Sequence, residues 1–411
     1  MSTTMQPGAG HPRSTVALAA LALGSFVIGT AELVVVGILN LIAGDLSVSV
    51  STAGQLVTAY ALGISVGGPI VTALTIRLGR KFLLWLALAL YIAGNLAAVI
   101  SVSFGALVIA RVLTGSIHGL FIGVASTVAA ALVPAEKRGE AMAMVFGGIA
   151  VSTVVGVPLG TLVGQALGWK ATFVGIVILG VIALVATLLL VPPVQSPGSS
   201  GIGTQAKSAF APRVIATLAV GFLVLGGQFT ALTYLAEYLV AVTGIPGTLI
   251  SVFLLAYGVA SAVGTFFGGK FADKSATKTL VVANILLIVA FAGLYVFGGS
   301  PILAAIALAL WGLVGFGLVP SLQLRVITLA GPGGDLAATL GASAVNAGIA
   351  IGALVGGAVL AATGAHAVVL TALIICAVAL PATWAIGLLK VPSSAASPAV
   401  SAPSEPDAVT A

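Results

Sequence analysis

The sequence predicts an all-α polytopic membrane protein with twelve transmembrane helices in two pseudo-symmetric six-helix bundles. Three observations support this fold class: a very apolar composition, twelve apolar runs of membrane-spanning length, and a likeness between the two halves of the chain. The 411 residues are 60% hydrophobic and only 6% charged. A soluble globular domain carries about 25% charged residues, so the composition excludes a soluble protein.

Each transmembrane helix requires about 20 consecutive, mostly apolar residues. Runs of that length are continuously apolar here rather than alternating, which excludes a transmembrane β-barrel. The first run is much longer than the about 7–15 apolar residues of a cleaved signal peptide, so we expect it to remain as a span. The predicted spans, numbered 1 to 12 in chain order, cover residues 16–41, 52–76, 82–102, 104–133, 141–166, 171–191, 213–241, 248–271, 279–298, 301–329, 337–363 and 366–390.

The basic residues predict the orientation of the spans, because cytoplasmic loops carry an excess of Lys and Arg. With twelve spans, both termini lie on one side of the membrane. Only Lys170 falls on the other side, and Arg111 lies within a span. The bases on the side of the termini are Arg13, Arg77, Arg80, Lys81, Lys137, Arg138, Lys207, Arg213, Lys270, Lys274, Lys278, Arg325 and Lys390. Both termini are therefore predicted to be cytoplasmic.

Segments rich in Pro, Gly and Ser divide the chain into domains. Residues 192–212 are predicted to form a cytoplasmic linker between two bundles, 16–191 and 213–390. Residues 1–15 are predicted to be a cytoplasmic N-terminal tail, and residues 391–411 a disordered cytoplasmic tail.

The two bundles share sequence features in corresponding spans. AYALGISVGG begins at Ala59 and AYGVASAVGT at Ala256, so Tyr60 and Tyr257 lie 197 residues apart. Spans 5 and 11 both carry Gly at every fourth position: Gly156, Gly160 and Gly164, and Gly348, Gly352 and Gly356. Chance similarity between Gly-rich apolar segments is the alternative explanation. Parallel repeats of this kind are typical of transporters with a site at the repeat interface.

Span 4 contains a permanent charge and a histidine within the apolar segment RVLTGSIHGLFIG, residues 111–123. Arg111 and His118 are seven residues apart and share a helix face, with Gly115 between them. A charge near the middle of a bilayer costs at least a few kcal/mol. At about 1.5 Å per residue, Arg111 and Glu32 of span 1 lie at similar depths. We therefore predict that Glu32, or water, compensates the burial of Arg111.

Two interpretations stay open for Glu32 and for His118. Glu32 is either a permanently ionised counter-ion or a proton carrier whose protonation releases Arg111. His118 is either a hydrogen-bonded packing residue or a group that relays protons or contacts the substrate, since imidazole titrates near physiological pH. Glu32, Arg111 and His118 are our candidates for proton coupling.

Uncharged polar residues in the spans either join helices by hydrogen bonds or contact a substrate. The candidates for substrate binding are Tyr60, Gln228, Tyr234, Tyr257, Gln323 and Asn346. Gln228 falls within one residue of the repeat equivalent of Glu32.

The sequence contains no nucleophile–base pair, no His/Cys cluster with metal-ligand spacing and no phosphate-binding loop. We therefore predict that the protein is not an enzyme, although a membrane-embedded enzyme is the alternative of another class. We expect no cofactor and no metal, and a proton gradient as the energy source. The expected partners are a small-molecule substrate, protons and the lipid bilayer. The bases are not clustered on a soluble domain, so nucleic acid is not an expected partner.

Four motifs resemble signatures of the major facilitator superfamily, and within it of the twelve-span drug–proton antiporter group. GTAELVVVGIL at 29–39 is similar to the first-span signature, and RLGRK at 77–81 to the loop after span 2. RVLTG at 111–115 resembles the span-4 arginine motif, and GVPLG at 156–160 the span-5 antiporter motif. The surrounding stretches look most like the bacterial subgroup of sugar, purine and chloramphenicol exporters.

The resemblance implies a secondary active transporter that works by alternating access, with spans 1, 4, 7 and 10 lining a central cavity. It favours proton-coupled efflux of a small drug-like or metabolite molecule by a monomer in the bacterial cytoplasmic (inner) membrane. A proton-coupled importer and an uncoupled facilitator of a sugar or nucleoside are the alternatives. The residues implied for the conformational switch are Gly79, Arg80, Lys81, Asp273, Gly156, Pro158 and Gly160.

The chain departs from the family pattern in the loop after span 2 and in span 1. Ile76 stands where that loop usually has an aspartate, whereas the second-half copy keeps its acid, Asp273. Asn40 stands where the first-span signature often ends in proline. An acid–base contact between the halves would therefore be conserved only in part.

Overall fold

The structure, a computed structural model, describes residues 12–75, 78–134, 138–194, 207–331 and 334–391. Most of the predicted tails 1–15 and 391–411 lies outside these residues, as does most of the predicted linker 192–212. The side chain of Asp273 also lies outside the described part. The domain boundaries therefore stay predictions.

Twelve helical spans follow one another in the predicted order, and the described residues contain no β-strand. The predicted fold class is therefore confirmed. The helices of spans 1 to 6 are Pro12–Asp45, Val50–Leu62 with Gly68–Thr75, Arg80–Ile100, Phe104–Ala131, Arg138–Val151 with Val157–Leu167, and Trp169–Leu190. Those of spans 7 to 12 are Pro212–Leu232 with Leu235–Ala241, Ile250–Phe297 for spans 8 and 9 together, Pro301–Ala330, Gly334–Thr363 and Ala365–Ala385.

The helices differ from the predicted runs within spans 2 and 5 and at the junction of spans 8 and 9. Spans 2 and 5 each contain one π-helical turn, at Gly63–Gly67 and Ser152–Gly156. Spans 8 and 9 are separated only at Ser275, whose extended backbone (φ −166°, ψ 95°) lets its hydroxyl accept a hydrogen bond from the Lys278 amide at 3.4 Å. This contact caps the first turn of span 9 in the way serine caps helices generally.

The prediction of one continuous helix over 213–241 is wrong. The backbone leaves the helical conformation at Tyr234 (φ −112°, ψ 19°), between Leu232 and Leu235. The Tyr234 hydroxyl donates to the Ala353 carbonyl oxygen of span 11 at 2.9 Å. No Pro or Gly stands at this break to indicate it in the sequence. The hydrogen bond from Tyr234 to span 11 occurs at the same residue.

The structure places Tyr60 and Tyr257 at equivalent positions in the two halves. Span 4 approaches span 2 so closely that a Cβ at Gly115 would clash with the Tyr60 carbonyl oxygen. Span 10 approaches span 8 in the same way, since a Cβ at Gly312 would lie 2.5 Å from the Tyr257 carbonyl oxygen. Gly312 follows Gly115 by 197 residues, the spacing of the tyrosines. The predicted internal repeat is confirmed.

The glycine rows of spans 5 and 11 pack on corresponding helices, spans 1 and 7, although the rows are 192 residues apart and the tyrosines 197. In each half they let two helices pack at a distance that larger side chains would prevent, as small residues do in membrane proteins. Span 5 packs on span 1, where the row faces Thr30, Val34 and Ile38. Span 11 packs on span 7, where the row faces the carbonyl oxygens of Phe222, Gly226 and Thr230.

Spans 2 and 11 are joined across the two halves by three hydrogen bonds. Each runs from a hydroxyl group of span 2 to a backbone carbonyl of span 11, and donors and acceptors both recur every seven residues, which is about two helical turns. The pairs are Ser51 Oγ with Gly357 O (2.6 Å), Thr58 Oγ1 with Ala350 O (3.1 Å) and Ser65 Oγ with Ser343 O (2.8 Å). We call this row the hydroxyl seam. It fixes the antiparallel register of the two helices over most of their shared length.

Removing the hydroxyl seam is expected to weaken the association of the halves. Interhelical hydrogen bonds in membranes contribute on average about 0.6 kcal/mol each, so a variant with Ser51→Ala, Thr58→Val and Ser65→Ala should lose about 2 kcal/mol of unfolding free energy. The measurement is unfolding in one fixed detergent or bicelle system. Thr371→Val is the control, because the Thr371 hydroxyl bonds only within its own helix, to Ala367 O. Equal stability losses in Thr58→Val and Thr371→Val would contradict this account of the seam.

Candidate functional site

A small cavity of ≈ 10 Å³, about the room that a single water molecule needs, lies where the two halves meet. Spans 1, 2 and 4 supply its polar groups, and spans 7 and 11 supply hydrocarbon side chains. Its lining residues are Glu32, Leu33, Val36, Val57, Tyr60, Ala61, Arg111, Phe229 and Ile349. The cavity therefore combines one carboxyl group with a mostly apolar wall.

Arg111 is buried, with 2% of its surface exposed, and its guanidinium group reaches two neighbouring spans. In span 1 it donates to the backbone carbonyls of Ala31 (Nη1, 2.8 Å) and Glu32 (Nη2, 3.3 Å). In span 2 it donates from Nε to the Leu56 carbonyl at 3.4 Å. Its Cζ also lies 3.9 Å from the centre of the Tyr60 ring, a cation–π arrangement. Carbonyl dipoles and an aromatic face thus compensate the buried charge.

The expected pairing of Arg111 with the Glu32 carboxylate is replaced by a different arrangement. The contact of Arg111 with Glu32 is to the backbone carbonyl oxygen. Among the described residues, the contact within 4.0 Å of the Glu32 carboxylate joins Oε2 to His118 Nδ1, at 3.7 Å, and it is an ion pair only when His118 is protonated. The sequence showed that Glu32 and Arg111 lie at one depth, but backbone carbonyls occur at every residue and give no signal in a sequence.

His118 is the end of a chain of hydroxyl groups that sequence reasoning missed. Its Nδ1 lies 3.1 Å from the Tyr60 hydroxyl, which lies 2.9 Å from the Tyr91 hydroxyl. Tyr91 in span 3 donates in turn to the Ile28 carbonyl of span 1 at 3.3 Å. Tyr91 is fully buried, and the Asn95 amide donates to its carbonyl at 2.8 Å. A buried Tyr and Asn four residues apart were the available signal, because buried polar side chains usually have partners.

The second half carries an uncharged counterpart of this cluster. Trp311 Nε1 donates to Gln228 Oε1 at 3.1 Å, and Gln228 Nε2 donates to the Gly315 carbonyl at 3.3 Å. The ring of Tyr257 packs edge-on against Trp311, with the ring centres 5.3 Å apart. Gln228 thus has a protein partner at each end of its amide.

The Tyr257 hydroxyl is buried and has no hydrogen-bond partner within the described part of the chain. The repeat explains this difference from Tyr60. At the common spacing of 197 residues, Ile288 stands in the place of Tyr91, and Gly315 in the place of His118. Both partners of the Tyr60 hydroxyl are therefore absent from the second half.

Of the six substrate-binding candidates, Tyr60 is the one that lines this cavity within the described ranges. Tyr234 contacts Ala353, as described above. Gln323 Oε1 faces Gly341 of span 11, where a Cβ would lie 3.1 Å away. Asn346 Nδ2 donates to the Ala342 carbonyl of its own helix at 3.0 Å. The roles of these residues in substrate binding stay predictions.

The residues implied for the conformational switch lie at helix ends and helix contacts. Gly79 is the residue before span 3, which begins at Arg80 and Lys81. Gly156 ends the π turn of span 5, and Pro158 lies in the first turn of the helix that follows it. The role of these residues in the conformational switch stays a prediction. Among the described residues, no group of three His, Cys, Asp or Glu side chains could hold a metal ion.

Comparisons with known proteins agree with one another on the family. The family model described as the Major Facilitator Superfamily matches residues 21–344. The chain is 39% identical over 353 residues to the MFS-type transporter YtbD of Bacillus subtilis (strain 168), which covers 84% of this chain and 88% of YtbD. It is 35% identical over 349 residues to the inner membrane transport protein YdhP of Escherichia coli (strain K12), covering 84% and 89%.

A third relative carries the name of a resistance protein. The chain is 33% identical over 339 residues to the chloramphenicol resistance protein of Streptomyces lividans, covering 82% of this chain and 86% of that protein. Among solved structures, the chain is similar to a bacterial homologue of the human lysosomal transporter Spinster in an inward-facing, occupied conformation. The TM-score is 0.76 with 15% identity, covering 92% of this chain and 98% of the other. At that identity the likeness concerns the fold alone.

Proposed function

This chain belongs to the major facilitator superfamily and is a multi-pass inner-membrane transporter, not an enzyme, and we propose that it couples the inward movement of protons to the efflux of a small amphiphilic molecule. The observation that carries the proposal is the position of Glu32. Glu32 lines the cavity between the halves, and its Oε2 atom lies 3.7 Å from His118 Nδ1. A group that carries protons in alternating access must face such a cavity, because it has to exchange with both sides of the membrane.

Glu32 is the acid best placed for this role. The structure describes two other acidic side chains, Asp45 and Glu237. Asp45 accepts a hydrogen bond from Trp169 Nε1 at 2.9 Å, at the end of span 1. Glu237 lies beyond the break in span 7. Acids within transmembrane segments are costly and mark proton or substrate pathways.

Glu32 is also free of a permanent counter-ion. The guanidinium group of Arg111 is already bonded to carbonyl oxygens, so the Glu32 carboxyl group can gain or lose a proton without breaking those bonds. The arrangement supports the proton-carrier interpretation over a fixed ion pair. The uncoupled facilitator and the importer are the outcomes that the experiment below separates from efflux.

The cavity wall supports an amphiphilic substrate over a sugar. Six lining residues carry hydrocarbon side chains: Leu33, Val36, Val57, Ala61, Phe229 and Ile349. Arg111 and the Tyr60 hydroxyl already have protein partners, which leaves Glu32 as the main polar group for a ligand. A sugar would lose the hydration of several hydroxyl groups without gaining partners, which costs free energy. The chloramphenicol resistance protein among the relatives supports the same substrate class and the export direction.

Transport by the purified protein in liposomes tests this proposal. A stability screen with amphiphiles, sugars and nucleosides first identifies ligands, because binding raises apparent stability. With chloramphenicol as the first probe, we expect accumulation in liposomes that are acidic inside, and no accumulation once nigericin removes the pH gradient. Accumulation in liposomes that are alkaline inside would indicate symport, and equilibration without accumulation would indicate a facilitator. If every ligand from the screen showed either symport or equilibration without accumulation, the proposal of coupled efflux would be contradicted.

A further inference from the structure

Tyr91 does not line the cavity. In the described residues, however, it belongs to the only row of hydrogen-bonded side chains that runs from His118 through Tyr60 of span 2 to span 3. Its hydroxyl contacts the Tyr60 hydroxyl at 2.9 Å and the Ile28 carbonyl at 3.3 Å. Tyr60 and Tyr91 are each 1% exposed, and His118 is 6% exposed. Bulk water is therefore kept from these groups, and each hydrogen in the chain has a fixed choice of acceptors.

The end of the chain decides the direction of every hydrogen bond in it. The Ile28 carbonyl can only accept, so Tyr91 donates to it. The oxygen of Tyr91 then accepts the hydrogen of Tyr60. In this direction of hydrogen bonding, the oxygen of Tyr60 accepts a hydrogen from His118 Nδ1. The geometry thus selects one of the two neutral tautomers of His118.

The Nδ1–H tautomer is stabilised by an ionised Glu32, because it directs an N–H group toward the carboxylate. The Nδ1 atom lies 3.7 Å from Glu32 Oε2 and 3.1 Å from the Tyr60 oxygen. A hydrogen on Nδ1 is therefore within hydrogen-bond distance of the Tyr60 oxygen, and the Glu32 carboxylate faces it from just beyond that distance. Hydrogen bonds to ionised acceptors are about twice as strong as those between neutral groups, so loss of the Glu32 proton draws the Nδ1 hydrogen toward the carboxylate.

We propose that the Tyr91 hydroxyl is a positioning group that holds His118 in the Nδ1–H tautomer facing Glu32. The proposal rests on the proposed function only in taking Glu32 as the proton carrier. In the described chain, the titratable and charged groups around His118 are Glu32 from span 1, Tyr60 from span 2, Tyr91 from span 3 through Tyr60, and Arg111 from its own span 4.

Loss of the Tyr91 hydroxyl frees the other tautomer. The Tyr60 hydroxyl then donates to Nδ1, and His118 carries its hydrogen on Nε2. A bare Nδ1 repels the Glu32 carboxylate and accepts from its protonated form. Glu32 then releases its proton less readily, so the midpoint of the pH dependence of transport moves to higher pH.

The first test is the tautomer of His118 in the intact protein. The chain has only 3 histidines, so ¹⁵N-histidine labelling and solid-state NMR in liposomes resolve each ring, and His118→Asn assigns the signals. At about pH 8, where an ordinary imidazole is neutral, we expect His118 to show the Nδ1–H tautomer. An Nε2–H tautomer or an imidazolium would overturn the proposal. This test needs neither a variant of Tyr91 nor a substrate.

The second test is the pH dependence of transport by Tyr91→Phe. We expect its midpoint about one pH unit higher, a tenfold change in proton binding, together with an Nε2–H signal from His118. Tyr238→Phe is the matched control, because the Tyr238 hydroxyl also donates to a backbone carbonyl, that of Leu294, at 2.6 Å. It should lower stability as Tyr91→Phe does and leave the midpoint unchanged. An unchanged midpoint in a folded Tyr91→Phe protein would overturn the positioning role.

Failure of this inference can be told from failure of the proposed function. If Glu32→Gln keeps pH-driven transport, the proton-carrier proposal fails, whatever the tautomer of His118. If Glu32→Gln loses it while Tyr91→Phe keeps both the midpoint and the Nδ1–H signal, only the role of Tyr91 fails.

Discussion

Replacing Arg111 by alanine is expected to lower the unfolding free energy by about 3 kcal/mol and to abolish transport, because it removes buried hydrogen bonds and leaves a cavity. The guanidinium group joins span 4 to the carbonyls of Ala31, Glu32 and Leu56 and covers one face of Tyr60. The carbonyls keep their helical hydrogen bonds in the variant, so the loss comes from the missing contacts between spans. Unfolding and transport are measured on the same liposome or bicelle preparation.

Arg111→Lys separates charge from geometry. A lysine keeps the positive charge, but its single ammonium group cannot reach carbonyls on two spans and stack on Tyr60 at once. We expect a stability between those of the wild type and Arg111→Ala. Arg325→Ala is the control, since Arg325 Nη2 also bonds backbone carbonyls, those of Ile386 and Leu389 just beyond the end of span 12, each at 2.7 Å. It should leave the pH dependence of transport unchanged.

A double-mutant cycle between Arg111→Ala and Glu32→Gln distinguishes the observed arrangement from an ion pair. Because Arg111 contacts the Glu32 carbonyl and not its carboxylate, the coupling energy is expected to stay below about 1 kcal/mol. A rescue of Arg111→Ala by Glu32→Gln would contradict this arrangement and indicate an ion pair between the two side chains. Wild-type stability in Arg111→Ala would refute the structural role altogether.

The spans and the repeat could be predicted because they follow from properties that a sequence displays directly. The length of apolar runs gave twelve spans, and the spacing between Tyr60 and Tyr257 gave the repeat. The structure extends that spacing to Gly115 and Gly312, which contact the two tyrosines. These features depend on side-chain size and hydropathy, which the bilayer and close helix packing constrain strongly.

The site was predictable only in part, because its partners include backbone carbonyl groups and Tyr91, a tyrosine in the apolar part of span 3. Depth along helices brought Glu32 and Arg111 together, but it did not show that carbonyls would bind the guanidinium group. The break at Tyr234 depends on a contact with span 11, to which no local signal points. Tyr91 was overlooked because a buried tyrosine in an apolar span is usually packing, and its hydroxyl partner lies 31 residues away in the chain.

Glu32→Gln is expected to have the largest effect on coupling. Glutamine resembles the protonated carboxyl group in shape and charge but cannot release a proton. The variant should therefore bind substrate and exchange it across the membrane, yet lose uphill transport driven by a pH gradient. Glu237→Gln makes the same chemical change beyond the break in span 7 and should keep full coupling.

Proton movement in Glu32→Gln liposomes tests the central claim most directly. Internal pH is followed with a trapped dye while substrate is added against a pH gradient, and proton flux is divided by substrate flux. The account predicts substrate-dependent proton flux in the wild type and in Glu237→Gln, and none in Glu32→Gln, which still exchanges labelled substrate. Undiminished proton flux and full uphill transport in Glu32→Gln would show that Glu32 is not the carrier and would contradict the account.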